Sequence, residues 1–187
     1  MQELSLAQSL TSETFDWAIG LIVHATSLRK LSLGFGFDHS ASFIERLCSS
    51  NALHGLASFS LACAHVTSDK LSELVVRSRY SLRALSFRHV SIESGSEWPT
   101  VLGQLRDQLP FLENFSVHWL AHYGREGGTH VMFPTLSSNQ VVPGSGGRRF
   151  TLAGKKWKGE RRIFGAAYQG PGVDKALEML VKAAEYI

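Results

Sequence analysis

Leu82-Arg83-Ala84-Leu85-Ser86-Phe87 is the clearest copy of a phrase that this chain repeats: apolar-x-x-apolar-x-apolar, with Ser between the last two apolar positions. The phrase also stands at Leu28-Arg29-Lys30-Leu31-Ser32-Leu33, at Leu56-Ala57-Ser58-Phe59-Ser60-Leu61 and at Leu112-Glu113-Asn114-Phe115-Ser116-Val117. Met1-Gln2-Glu3-Leu4-Ser5-Leu6 opens the chain with a fifth copy. Successive copies start 27, 28, 26 and 30 residues apart. A period of that size marks a solenoid, in which each repeat is one supersecondary unit that buries its apolar side only by stacking on its neighbours.

Working outward, each phrase is followed by apolar residues three and four apart, the stripe of a helix. Phe15, Ile19 and Ile22 follow the capping stretch Thr11-Ser12-Glu13, and Phe43, Ile44 and Leu47 follow Ser40. Leu71, Leu74 and Val75 follow Thr67-Ser68-Asp69; Val101, Leu102, Leu105 and Leu109 follow Glu97-Trp98-Pro99, and Pro110 is the stop. Strands joined through helices lie parallel, because a tight hairpin can join only antiparallel neighbours. The expected fold is therefore α/β, a solenoid with a parallel sheet on its concave side and helices on its convex side. Residues between the apolar positions of each phrase should point out of the sheet, away from the helices.

The expected organisation is one domain in three parts. Residues 1–120 form the solenoid of about five units, and 121–147, rich in glycine, form a long loop with one short strand near Val131-Met132-Phe133. Residues 148–187 form a hairpin with strands near 149–152 and 162–168, a break at Gly170-Pro171-Gly172, and a capping helix from Asp174. Leu177, Leu180, Val181, Ala184 and Ile187 should share one face of that helix. A strand phrase with no cap before it is unusual for a solenoid end and suggests that the chain is a piece of a longer protein.

A length of 187 residues with 44% hydrophobic content suits one buried core. No apolar run nears the roughly 18 residues of a membrane span and no secretory signal opens the chain, so the expected location is cytoplasm or nucleus, with no membrane partner. Cys48 and Cys63 are not in metal or redox spacing and read as reduced thiols. The net charge of +3 is uneven: 148–162 holds seven basic residues against the single acid Glu160, a net of +6, so the rest of the chain carries −3.

The repeated phrases resemble a degenerate leucine-rich repeat protein of the ribonuclease-inhibitor-like class. The tail from Arg161-Arg162-Ile163-Phe164-Gly165-Ala166-Ala167-Tyr168 through Gln169-Gly170-Pro171-Gly172-Val173-Asp174-Lys175-Ala176-Leu177-Glu178-Met179-Leu180 is similar to the ending of a group of fungal F-box-type proteins. That resemblance implies the substrate-selecting part of a ubiquitin ligase component, which would meet an adaptor only through an F-box lying outside this chain, since none is visible in it. The sequence also departs from the repeat pattern. The Asn or Cys that usually bonds loop backbone is replaced by Gly36, Ala64, Val90 and Leu120, so the turns must be satisfied in another way.

On the concave face, Arg29, Arg83, Ser86, Arg88, Glu113, His118 and Trp119 are the candidate contacts for a protein partner, with Arg and Trp as anchor types. The repeated serines, Ser5, Ser32, Ser60, Ser86 and Ser116, should form a row there, a pattern that small size on a crowded sheet also explains. The alternative is nucleic-acid binding by Arg148, Arg149, Lys155, Lys156, Trp157, Lys158, Arg161 and Arg162, where cations could meet phosphates and Trp157 a base. It is the less favoured of the two, because basic residues in a hairpin more often form a solvated face. His118 and His122 stand four apart without an acid or Cys at ligand spacing, so no metal is expected. No nucleophile or paired-acid motif appears, and neither catalysis nor a cofactor is expected.

Overall fold

A computed structural model describes residues 2–6, 12–36, 40–50, 53–93, 97–123, 129–157 and 160–187. Five strands carry the five phrases: β1 (Glu3–Leu6), β2 (Lys30–Gly34), β3 (Ser58–Thr67), β4 (Ala84–Glu93) and β5 (Asn114–His118). Between them run α1 (Ser12–His24), α2 (Ser40–Ser49), α3 (Ser68–Val76) and α4 (Trp98–Gln108). The strands lie side by side in chain order and parallel, with each phrase aligned on the next: Leu4 on Leu31, Leu31 on Phe59, Phe59 on Leu85, and Leu85 on Phe115. This is the α/β solenoid that the repeats predict.

The apolar positions of the phrases point to the helices. Leu31, Leu33, Phe59, Leu61, Leu85, Phe87, Phe115 and Val117 are buried with Phe43, Ile44, Leu47, Leu71, Leu74, Val101, Leu102 and Leu105 from the helical stripes. Burying a side chain of this size is worth roughly 1.5–3 kcal/mol against leaving it exposed, so one face per element is enough to set the orientation of the whole repeat. Helix starts follow local chemistry. Thr67 caps α3 by accepting from the Lys70 N–H at 3.3 Å, and α4 carries Pro99 in its first turn. The predicted cap at Thr11-Ser12-Glu13 lies outside the described residues and side chains.

Each of the last three repeats contains a kink that the sequence does not announce. Cys63, His89 and Trp119 have φ of 52°, 53° and 55°, and the pairs Ala62–Arg88, Arg88–His118 and Ala64–Val90 place them at one level of the sheet. The extra residue lets Leu61 and Ala64, and likewise Phe87 and Val90, all face the core. After Trp119 the fifth strand resumes as β6 (Ala121–Tyr123), which pairs parallel with the far half of β4.

The missing Asn or Cys ladder is replaced by bonds from the first residue of a helix to the next repeat. The Ser40 hydroxyl donates to the His65 carbonyl at 3.1 Å and accepts from its N–H at 2.7 Å, and Trp98 Nε1–H donates to the Ala121 carbonyl at 2.8 Å. His65, Ser91 and Ala121 are aligned across the sheet, so these are equivalent bonds two repeats apart. Other loops are held by Ser81 Oγ to the Leu56 carbonyl at 2.8 Å and by Arg77 Nη1 to the Ser50 carbonyl at 2.6 Å.

Beyond β5 the fold changes direction. Among the described residues, the stretch expected to be a loop with one strand contains two, β6 and β7 (Thr129–Met132), which pair antiparallel. It also packs Val131, Phe133, Leu136 and Val142 into the core. β6 carries no sequence signal of its own because it is three residues long and is separated from its phrase by the kink. The expected hairpin is β8 (Thr151–Trp157) with β9 (Glu160–Gln169), and β9 lies antiparallel on β5, so the sheet order is β1-β2-β3-β4-β5-β9-β8. The final helix, α5 (Val173–Ala183), packs on α4 and buries Val173, Ala176, Leu177 and Leu180. Ala184 and Ile187 fall after its end, where β10 (Glu185–Tyr186) pairs with β7, and Ile187 is exposed rather than on the buried face.

Candidate protein-binding face

The sheet face turned away from the helices is the natural site, because strand alternation fixes which residues reach it. Ser5, Ser32, Ser60, Ser86 and Ser116 are in register from β1 to β5, and the row continues through Ala167 on β9 to Thr151 on β8. Seven strands thus present one line of small, mostly hydroxyl side chains. The next row, Gly34, Ala62, Arg88, His118, Gly165 and Ala153, is equally small except at β4 and β5. Gly165 is required there: a Cβ would lie 2.5 Å from the His118 ring and 2.9 Å from the Val117 carbonyl oxygen.

At the kink, large side chains gather beside these small rows. Trp119 stacks on Phe164 with ring centres 4.2 Å apart and planes 13° apart; His89 lies parallel to it at 6.1 Å, and His130 meets it edge-on at 5.5 Å. His118 stands 5.9 Å from His89. Burial comes first in holding both the His89 and His118 imidazoles below their ordinary protonation range, and the positive Arg88 adds to it. At neutral pH this corner is therefore apolar and aromatic, with Arg88 exposed beside it as the positive group.

Toward the start of the strands, a groove of about 630 Å³ crosses the face over Ser58, Ser86 and Ser116 and is walled by Arg149 and Thr151. Asn114 also lines it, and Asn114 Oδ1 is buried without a hydrogen-bond partner among the described residues. An unpaired buried acceptor costs roughly 1–3 kcal/mol, which a donor from a bound molecule would recover.

The expected contact residues fall into two groups. Ser86, Arg88 and His118 stand on the open face, and Trp119 adjoins them at the kink. Arg29, Arg83 and Glu113 sit at the strand entrances, where they serve the turns. Arg29 Nη1 donates to the Gly55 carbonyl at 2.9 Å, Arg83 Nη1 donates to the Phe111 carbonyl at 3.3 Å, and Arg83 Nε lies 3.5 Å from Glu113. The basic residues are also divided. Arg148 Nη1 donates to the Gln169 carbonyl at 3.0 Å and Arg149 faces the groove, whereas Lys155 and Arg161 are exposed further along the hairpin and Arg162 is half-buried. The side chains of Lys156 and Trp157, and all of Lys158, lie outside the described residues.

His89, His130 and Phe164 were not legible as site residues. His89 reaches Trp119 through a non-glycine αL turn, Phe164 from an antiparallel strand more than forty residues away and His130 from the short strand β7, none of which has a local signature. Among the described residues no group of three or more His, Cys, Asp or Glu side chains is placed to hold a metal ion, and no helix is long and apolar enough to cross a membrane.

No protein-family model and no curated protein matches the sequence. Among solved structures the chain is similar to actin-binding site 2 of leiomodin-1, at 15% sequence identity and a TM-score of 0.43, over 67% of this chain and 72% of that one.

Proposed function

We propose that this chain is a non-enzymatic recognition module that binds a partner protein on the open face of its sheet. The observation that carries the reading is the register of the serine row. Seven adjacent strands hold small side chains in line, which leaves a wettable platform bordered by a half-buried Trp, two uncharged imidazoles and an arginine. Aromatic and Arg anchors beside small residues suit a protein interface, where a few large side chains dominate the binding energy. The orphaned Asn114 Oδ1 supports a partner that brings an N–H donor into the groove. The similarity of the tail to fungal F-box-type proteins extends the proposal: the partner would be a ubiquitin ligase substrate, with adaptor docking supplied by an F-box outside this chain.

The test blocks the platform without touching the core. Ser60→Arg with Ser116→Arg places two long cations on the face, and Thr100→Arg on α4 is the control on the helical side, where Thr100 is exposed. Substitutions at such surface positions should change stability by no more than about 0.5–1 kcal/mol. In quantitative affinity capture, proteins retained by the wild type and by Thr100→Arg should fall at least tenfold with the double variant. Equal recovery by all three would remove the open face as the binding site.

A further inference from the structure

The hairpin strand β8 is the last strand of the sheet after β9, and among the described residues it pairs with β9 alone. Just before it, the chain covers itself: Val141 bridges to Arg149, and the Val142 N–H donates to the Arg148 carbonyl at 3.0 Å. From Thr151 onward that cover ends. Thr151, Ala153, Gly154 and Lys155 are exposed and Leu152 is half-buried. In an antiparallel pair every second residue of an outer strand turns its N–H and C=O away from its partner, so β8 presents a row of donors and acceptors.

The charges along this edge favour one kind of strand. Register sets Lys155 opposite Arg162 and Lys156 opposite Arg161, so positive charge is concentrated along the end of the hairpin. Carboxylates placed beside them would relieve it. The same charges act against a second copy of this chain, because edge-to-edge pairing would bring two segments of net charge +6 together. The register shift at Ala153/Gly154 puts its extra residue, Phe164, on β9, and β8 meets it with a glycine, since a Cβ on Gly154 would lie against the Arg162 carbonyl oxygen. A nucleic acid could use the cations but has no amide ladder to match the strand edge.

We propose that β8 is a second interaction site, distinct from the open face, which accepts an extended acidic segment of a partner protein as an added strand. Main-chain hydrogen bonds would give the register, and Lys155 on one face of the hairpin and Arg161 on the other would each select glutamate- or aspartate-bearing segments, whichever way the segment faces.

The test uses the full chain and a fluorescent ten-residue peptide alternating glutamate and valine. Its companions are the same peptide N-methylated at alternate residues, a lysine–valine analogue, and a single-stranded oligonucleotide of about twenty nucleotides, all read by anisotropy near physiological salt. The acidic peptide should bind, N-methylation should weaken it at least tenfold, and the basic analogue should not bind. Lys155→Glu with Arg161→Glu should weaken the acidic peptide at least tenfold, and Ser60→Arg with Ser116→Arg should leave it unchanged. Circular dichroism checks that the charge-reversed protein folds; if it does not, the N-methylated peptide alone decides. Equal binding of the N-methylated peptide would reduce the effect to charge and overturn strand addition. So would an oligonucleotide that binds as tightly as the peptide, self-association through β8 in sedimentation, or no binding of the acidic peptide.

Discussion

At the scale of single residues, the corner around Trp119 sets a pH dependence whose sign is fixed by burial. His89 and His118 have folded-state pKa values below the ordinary 6.5, first because burial disfavours the imidazolium. Arg88 then adds to both, with His130 acting on His89 and His89 on His118. As pH falls, the unfolded chain takes up these protons before the folded one does. The stability linked to the pair is therefore whole above about 6.5 and is lost as pH drops through that value toward the folded-state pKa. Both rings are partly solvated, so the effect is modest. The urea midpoint of the wild type should fall between about pH 7.5 and 5.5, and the double variant His89→Gln, His118→Gln should fall less over the same range. Parallel pH profiles would show that neither imidazole is held neutral by the fold. Cys48 is a contrasting case, because burial, joined by the negative Glu73, pushes its thiol up to about 11 with no exposure to make it reactive.

At the scale of elements, the glycines separate positions the fold needs from positions it merely tolerates. Gly103 lies in α4, and a Cβ added there would meet nothing within 4 Å, whereas Gly154 on β8 faces the bulge of β9 and lies against the Arg162 carbonyl. Gly103→Ala should stabilise the protein by about 0.5–1 kcal/mol through helix propensity and the reduced freedom of the unfolded chain. Gly154→Ala should destabilise it, because the added carbon meets backbone rather than a movable side chain. Urea unfolding of the two variants checks both signs, and a harmless Gly154→Ala would mean that the bulge is not fixed by close packing. The same contrast explains what could be read from the sequence. The five phrases carry their own register, since each repeats the same apolar positions, so strand order, direction and the serine row followed directly. Leu82–Phe87 and its copies needed no partner to be recognised. The kinks at Cys63, His89 and Trp119 were illegible because none is a glycine, and a positive φ in such residues is imposed by the stacked repeats rather than by local preference. β9 was legible as a strand, but its antiparallel seat on β5, which builds half of the Trp119 corner, depends on a long return of the chain.

At the scale of the whole molecule, the two ends of the stack are unequal. Each repeat of a solenoid touches mainly its neighbours, so local stability is a sum of repeat and interface contributions rather than one global quantity. At the far end, β5 is covered by β9, α4 by α5, and the core is extended by Phe133, Val142 and Phe150. At the near end, β1 is four residues long and pairs with β2 alone among the described residues, and α1 leaves Trp17 64% and Val23 42% exposed. Opening β1 and α1 therefore exposes one interface, while opening β4 or β5 breaks two sheet contacts and the buried Trp98 that bonds across to Ala121. In native-state hydrogen exchange, amides of β1 and α1 should exchange at least tenfold faster than those of β4 and β5, a difference of about 1.4 kcal/mol in opening free energy. Adding denaturant should merge the two groups only near the global midpoint. Equal protection from β1 to β5 would mean that the stack opens as one unit, and stability would then have to be argued from the molecule as a whole rather than repeat by repeat.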